Sequence, residues 1–180
     1  MSEPTDEALF SAYVAGDEDA FQALFDRYAP LLLRLMMRDL RRRTDAEELV
    51  QDTFLNLHRA AADFRQGAKL RPWLMTIALN LKREHFRRRA RRPEAPLELD
   101  GRHDPIADSP RILERRHARD QIEKALATLP DNQREVIVLH WFGGLSFPEV
   151  ADVVGSTTGA VKVRAHRGYT RMRELLESKD

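Results

Sequence analysis

Apolar side chains recur along most of the chain at the spacing of a single helix face. Phe21, Leu24, Phe25, Tyr28, Leu31, Leu32 and Leu35 fall at the i, i+3, i+4, i+7 positions of an amphipathic helix. Val50, Phe54, Leu57 and Phe64 mark a second helix. Leu74, Ile77, Ala78 and Leu81 form the buried stripe of a third, and Pro72 suits its first turn. Ile122, Ala125, Leu126 and Leu129 predict a helix that Pro130 stops. Val136, Ile137 and Leu139 predict another over about Asn132–Phe142, ended by Gly143 and Gly144. No stretch alternates apolar and polar residues between turn signals, so no sheet is expected. The pattern lapses from Arg92 to Leu113, which holds four prolines, one glycine and many charges and can bury little apolar surface. The expectation is an all-α chain of two small helical domains, 1–91 and 114–180, joined by a flexible linker over 92–113.

The C-terminal domain carries the stretch "SFPEVADVVGSTTGAVKVRAHRGYTRMREL" from Ser146 to Leu175. Ser146 followed by Glu149 is a capping box, which satisfies two orphan backbone donors at a helix start. Val150, Ala151 and Val154 are expected to face inward, Gly155 to close this short helix, and Ser156 or Thr157 to cap the next. In that last helix Val161, Ala165, Gly168, Met172 and Leu175 share one face. The opposite face shows Thr158, Lys162, Val163, His166, Arg167 and, one turn on, Arg171. A short bracing helix followed by a helix with a basic outer face suits a helix-turn-helix, whose second helix enters the major groove. Lys and Arg reach guanine edges or phosphates there, and Val163 can touch a thymine methyl. Taken alone, the same residues also describe a capped helical hairpin with a solvated basic face, and His166 a plain surface histidine.

Two further segments belong to the N-terminal domain. "TDAEELVQDTFLNLHRA" puts Asp45, Glu48 and Asp52 on one helix face, bordered by Gln51 and Leu55. That face fits solvated surface, a metal site or a docking surface for a basic partner. Carboxylate metal sites recruit ligands from facing helices, and no second acidic cluster is evident; Glu114 and His117 supply a single Glu-x-x-His. The other segment interleaves Phe64, Trp73 and Phe86 with Arg65, Lys69, Arg71, Lys82, Arg83, Arg87, Arg88 and Arg89. Single-stranded bases stack on aromatics while cations follow the backbone. Thr76, Asn80, Arg83 and Arg87 fall on one helix face, away from the Leu74 stripe. Phe64 and Trp73 serve equally well as core anchors.

The charge distribution strengthens the nucleic-acid reading. Net charge is only +1, yet Lys82–Arg92 holds seven bases and one acid, and Thr158–Arg173 five bases and no acid. Met1–Leu33 is the reverse, with seven acids and one base. Local basic patches of this kind are the footprint of a nucleic-acid binder. With no cysteine in 180 residues, disulfides and thiolate metal sites are excluded. No apolar run approaches the roughly 18 residues of a membrane span, and the acidic N-terminus is unlike a secretory signal. The expectation is a cytoplasmic protein without membrane insertion.

With these segments in order, the chain resembles the extracytoplasmic-function sigma factors of bacterial RNA polymerase. "DAEELVQDTFLNLHR" is similar to that family's polymerase-binding helix, and "RPWLMTIALNLKREHFRRRAR" to its promoter-melting, −10-reading segment. "LPDNQREVIVLHWFGGLSFPEVADVVGSTTGAVKVRAHRGYTRMREL" is similar to its −35-reading domain. The resemblance implies that Asp45, Glu48, Gln51, Asp52 and Leu55 dock on core RNA polymerase. It implies that Phe64, Arg65, Lys69, Arg71, Trp73, Asn80, Arg83 and Arg87 meet the −10 strand, with a flipped base in the 64–71 loop. It places Thr158, Lys162, Val163, His166, Arg167 and Arg171 on duplex −35 DNA. It implies no cofactor, no metal and no catalytic residue. Val163 stands where the family often has a small polar residue, and the loop "RQGAKLRP" is individual, so base preferences do not transfer. With no long C-terminal extension, regulation is expected from a partner such as an anti-sigma factor. The rival from another class is a stand-alone helix-turn-helix regulator with an N-terminal sensing or dimerisation domain. It gives no reason for an aromatic, basic strip beside an acidic helix. A nuclease or recombinase would need a nucleophile or a carboxylate cluster aimed at phosphate, and Asp45, Glu48 and Asp52 lack an evident complement.

Overall fold

A computed structural model of the chain describes residues 3–65, 67–91 and 110–177, those of 110–118 by backbone only. Among them are eight α-helices, one 3-10 turn and no strand. The chain divides into two compact units, the first ending at Asp100 and the second starting at Gly101. The stretch expected to be a linker lies outside the described residues up to 109, as do the side chains of Glu114 and His117.

In the first unit α1 spans Asp6–Val14, α2 Glu18–Met36, α3 Arg43–Arg59 and α4 Leu70–Ala90, with a 3-10 turn at Ala61–Asp63 before α4. Thr5 caps α1 by accepting from Ala8 N at 3.2 Å, and Asp17 caps α2 from Ala20 N at 3.2 Å. Acids in both first turns favour the positive ends of these helices. Pro30 sits inside α2 on an exposed position, which costs about 3 kcal/mol in a free helix. Burial of Leu24, Tyr28, Leu32 and Leu35, each worth about 1.5–3 kcal/mol, offsets it and carries the helix on to Met36. Leu49, Val50, Phe54 and Leu57 of α3 and Leu70, Leu74, Met75, Ala78 and Leu79 of α4 complete this core. α1 packs on α2 and α4, and α3 on α2 and α4. Phe64, expected on a helix, follows the 3-10 turn in extended conformation. Ile77 and Leu81 are half-buried, and Met75 and Leu79 take the deeper places.

The second unit comprises α5 (Pro110–Ala127), α6 (Asp131–Trp141), α7 (Phe147–Val154) and α8 (Thr158–Glu177). α5 begins at Pro110, within the stretch read as linker; proline lacks the N–H that a first helical position leaves unpaired anyway. α8 packs against α5, α6 and α7. It lies tight against α6 at Gly168, where a Cβ would lie 2.5 Å from Ile137 Cδ1. Leu126, Leu129 and Ile137 form a buried cluster that Tyr169 and Met172 cover. Ile122, expected in that core, is exposed at the surface of α5.

The α7 capping box forms as the sequence implies. Ser146 N donates to Glu149 Oε2 at 2.8 Å, and Glu149 N to Ser146 Oγ at 3.4 Å. Val150, Ala151 and Val153 are buried, whereas Val154 is half-buried. Gly155 then takes φ +65°, the left-handed turn that lets Ser156 N reach Ala151 O at 2.9 Å. Thr157 Oγ1 accepts from Ala160 N at 3.2 Å and opens α8. Ser146→Ala is expected to destabilise this unit by about 1 kcal/mol in urea unfolding followed by circular dichroism; no shift of the midpoint would deny the box its role.

Candidate nucleic-acid interface

On α8, Val161, Ala165 and Gly168 face the core. At 100° per residue the burial of that stripe turns Lys162, Val163, His166, Arg167 and Arg171 outward, and all five are exposed. Thr158 is half-buried at the first turn. Val163, 48% exposed, is an apolar spot on an otherwise basic surface.

On α4 the same logic turns Asn80, Arg83 and Arg87 outward, while Thr76 is half-buried and donates to Pro72 O at 2.9 Å. Phe86 is exposed beside them. Lys82 instead faces α2's end, 2.5 Å from Asp39. The loop before α4 exposes Arg65 and Lys69. Phe64 and Trp73 are half-buried and lie 5.0 Å apart between ring centroids. Both rest on the buried Phe10 of α1, at 4.9 and 5.8 Å. They anchor the loop and keep part of their surface open.

Arg71 is held more firmly than its neighbours. Its Nε donates to the Tyr28 hydroxyl at 3.1 Å, and its guanidinium lies 5.5 Å from that ring's centroid. The hydroxyl in turn donates to Asp6, which also accepts from Arg27 at 2.5 Å. Burial of Tyr28, only 1% exposed, pushes its hydroxyl up to about 12; the Asp6 carboxylate adds to the rise and Arg71 opposes it. Sequence reading missed Asp6, Tyr28 and Phe10 as parts of the site. Tyr28 was legible only as one member of an apolar stripe.

On α3, Glu48, Gln51 and Leu55 are exposed, with Leu55 at 44%, while Asp45 and Asp52 are half-buried. Asp45 is shared with α4, its Oδ2 lying 3.6 Å from Arg89 and 3.9 Å from His85. The expected acidic surface therefore has Glu48, Gln51 and Leu55 at its open centre and Asp45 at an edge already engaged by bases. Among the described residues, no group of three or more His, Asp or Glu could hold a metal ion.

Comparison with known proteins settles the family. The model of sigma-70 region 2 matches residues 24–92, and that of sigma-70 region 4 matches 119–172. The chain is 38% identical over 164 residues to the RNA polymerase sigma factor CarQ of Myxococcus xanthus, covering 89% of this chain and 91% of that one. It is 36% identical to the ECF RNA polymerase sigma factor SigM of Mycobacterium tuberculosis, covering 97% and 86%. This chain is an extracytoplasmic-function sigma factor. Sigma factors direct RNA polymerase to promoters, and that is the function of this one. Its fold agrees: CnrH, solved with the cytosolic domain of CnrY, superposes with a TM-score of 0.71 at 28% identity over 97% of this chain and 99% of that one. The sigma factor RpoE of Bartonella quintana, solved with the anti-sigma factor NepR, gives 0.70 at 28% identity over 87% and 96%. The two matched regions within one chain disfavour the stand-alone regulator. Among the described residues of this sigma factor, no helix is long and apolar enough to cross a membrane.

In this sigma factor the Tyr28 hydroxyl is harder to ionise folded than unfolded. The unfolded chain loses that proton first as pH rises, so the stability that the hydroxyl contributes is whole below pH 10 and lost by about pH 12. Tyr28→Phe is expected to cost about 1–3 kcal/mol at neutral pH. Its deficit against the parent should shrink between pH 10 and 12 in paired thermal melts, and a constant deficit would separate Tyr28 from this network.

Proposed function

We propose that this sigma factor reads promoters in two places and touches polymerase in a third. The observation that carries the reading is the outward placement of Asn80, Arg83 and Arg87 on α4 and of Lys162, Val163, His166 and Arg167 on α8. Each set lies opposite the stripe that builds its unit's core. α8 enters the major groove of the −35 duplex. Lys162, Arg167 and Arg171 approach phosphates or guanine edges, His166 a base edge, Val163 a thymine methyl, and Thr158 the backbone. Asn80, Arg83 and Arg87, with Arg65, Lys69 and Arg71 from the loop and first turn, follow the −10 strand. Phe64 and Trp73 offer rings beside an extruded base. Glu48, Gln51, Asp52 and Leu55, with Asp45 at the edge, dock on core RNA polymerase. Domain 114–180 does the first of these tasks and 1–91 the second and third.

The chemistry is binding, not catalysis; no residue acts as nucleophile or base, and no cofactor or metal is required. Extruding a base costs a few kcal/mol, and contacts formed only with the opened strand offset it. Each unit alone reads weakly. Tethering makes the second contact intramolecular and raises its effective concentration, so the pair binds better than the parts. The work is done in the cytoplasm, where polymerase is. An anti-sigma factor would restrain it by covering these same faces, as suits a relative solved with such a partner.

Two variants test the assignments. Arg167→Ala should weaken holoenzyme binding to a promoter duplex by about 1–3 kcal/mol, if it reads a base; an unchanged affinity in a filter-binding titration removes it from the reading set. Asp52→Arg should abolish co-purification with core polymerase while circular dichroism stays helical. Normal co-purification of the folded variant would defeat the docking face.

A further inference from the structure

Helix α1 is fastened to both ends of the loop that leads into α4. At the C-terminal end, Glu7 Oε1 accepts a hydrogen bond from Leu70 N at 3.1 Å, across 63 positions of sequence. Leu70 opens α4, and Lys69 before it makes no side-chain cap bond; a lysine has no acceptor to offer. Orphan N–H groups at a helix start need acceptors, and a carboxylate suits the positive end of the helix. Glu7 thus caps α4 from another helix. One residue on, Arg71 is held by the Tyr28 hydroxyl, which donates in turn to Asp6. At the N-terminal end of the loop, Phe10 packs edge-on against Phe64 and reaches across to Trp73 in the first turn of α4. Between these anchors the loop exposes Arg65 and Lys69 and turns through Gly67 at φ +81°.

We infer that α1 is a positioning element for promoter opening. Glu7 directly, and Asp6 through Tyr28, set the first turn of α4 and the preceding loop in the geometry that receives the −10 strand. The inference rests on the −10 assignment made above. Neither acid touches DNA. Anchors already fixed on both sides of the loop spare part of the ordering entropy that binding would otherwise cost, so loosening the cap weakens capture of the opened strand and leaves duplex −35 binding and polymerase docking unaffected. A purely electrostatic role predicts the opposite sign. Removing a negative charge beside a phosphate-binding surface strengthens binding, whereas removing a cap weakens it.

The test uses holoenzyme of the full chain with core polymerase, on a fork-junction oligonucleotide. Its single strand carries the −10 element of a promoter found by mapping this holoenzyme's start sites. Glu7→Ala should lower affinity for the fork by roughly tenfold, about one lost hydrogen bond to a charged group. Affinity for a −35 duplex and for core polymerase should not change. Glu7→Gln, which keeps an Oε1 acceptor and loses the charge, should recover most of the fork affinity. Fork binding by Glu7→Ala as tight as or tighter than the parent's overturns the inference. So does a parallel fall in fork, duplex and core affinity, which would make Glu7 a general structural residue. Arg87→Ala, in the same assay, separates the layers. If it weakens fork binding while Glu7→Ala does not, the positioning role falls alone. If both are silent, the −10 assignment falls and takes the inference with it.

Discussion

Burial of one stripe on α4 and one on α8 is the constraint on which the rest of the molecule depends. Leu74 and Ala78 are fixed in the first core, and Val161 and Ala165 in the second. A helix turns 100° per residue, so fixing one stripe fixes the opposite face as well. Asn80, Arg83 and Arg87 stand outward for that reason, and so do Lys162, Val163, His166 and Arg167. Hydrophobic burial, which has no direction of its own, thereby aims polar groups that need direction. The short α7, capped by Ser146 and closed by Gly155, and the close crossing at Gly168 then hold α8 against its unit.

Charge is organised by the same packing. α3 shows its acids on a surface adjoining α4, and the two helices exchange charge where they meet, Asp45 lying between His85 and Arg89. That contact divides the surface. Further along α3, Glu48 and Gln51 lie in the open, while Arg83 and Arg87 of α4, about 200° round the helix from His85, are exposed on its other side. A near-neutral chain can therefore present a surface for a basic protein and another for a polyanion without either cancelling the other.

Much of this was legible in the sequence because it lies within single helices. The capping box at Ser146, the glycine turn at Gly155 and the inner faces of α2 and α8 are local patterns that the structure forms, whereas on α4 only Leu74 and Ala78 of the expected stripe are buried and Met75 and Leu79 replace Ile77 and Leu81. Helix α1 was not legible: nine residues with only Leu9 and Phe10 buried are too few to show a period. The packing partner of Phe64 and Trp73 was equally hidden, since both rest on Phe10, which is distant in sequence. The bond from Leu70 N to Glu7 and the chain from Arg71 through Tyr28 to Asp6 join residues 63, 43 and 22 positions apart. No periodicity within one helix reports on such contacts. The same holds for Asp45, whose place on the acidic face was plain but whose engagement by α4 was not.

Transcription in vitro by core polymerase loaded with this chain, on fragmented genomic DNA with start sites mapped at nucleotide precision, bears most directly on bipartite reading. Starts should be preceded by two shared motifs at a nearly constant separation. They should vanish when either motif is scrambled and weaken when the spacing between them is changed. Starts that share only one motif, or that tolerate free variation of the spacing, would contradict a reader built from two tethered units.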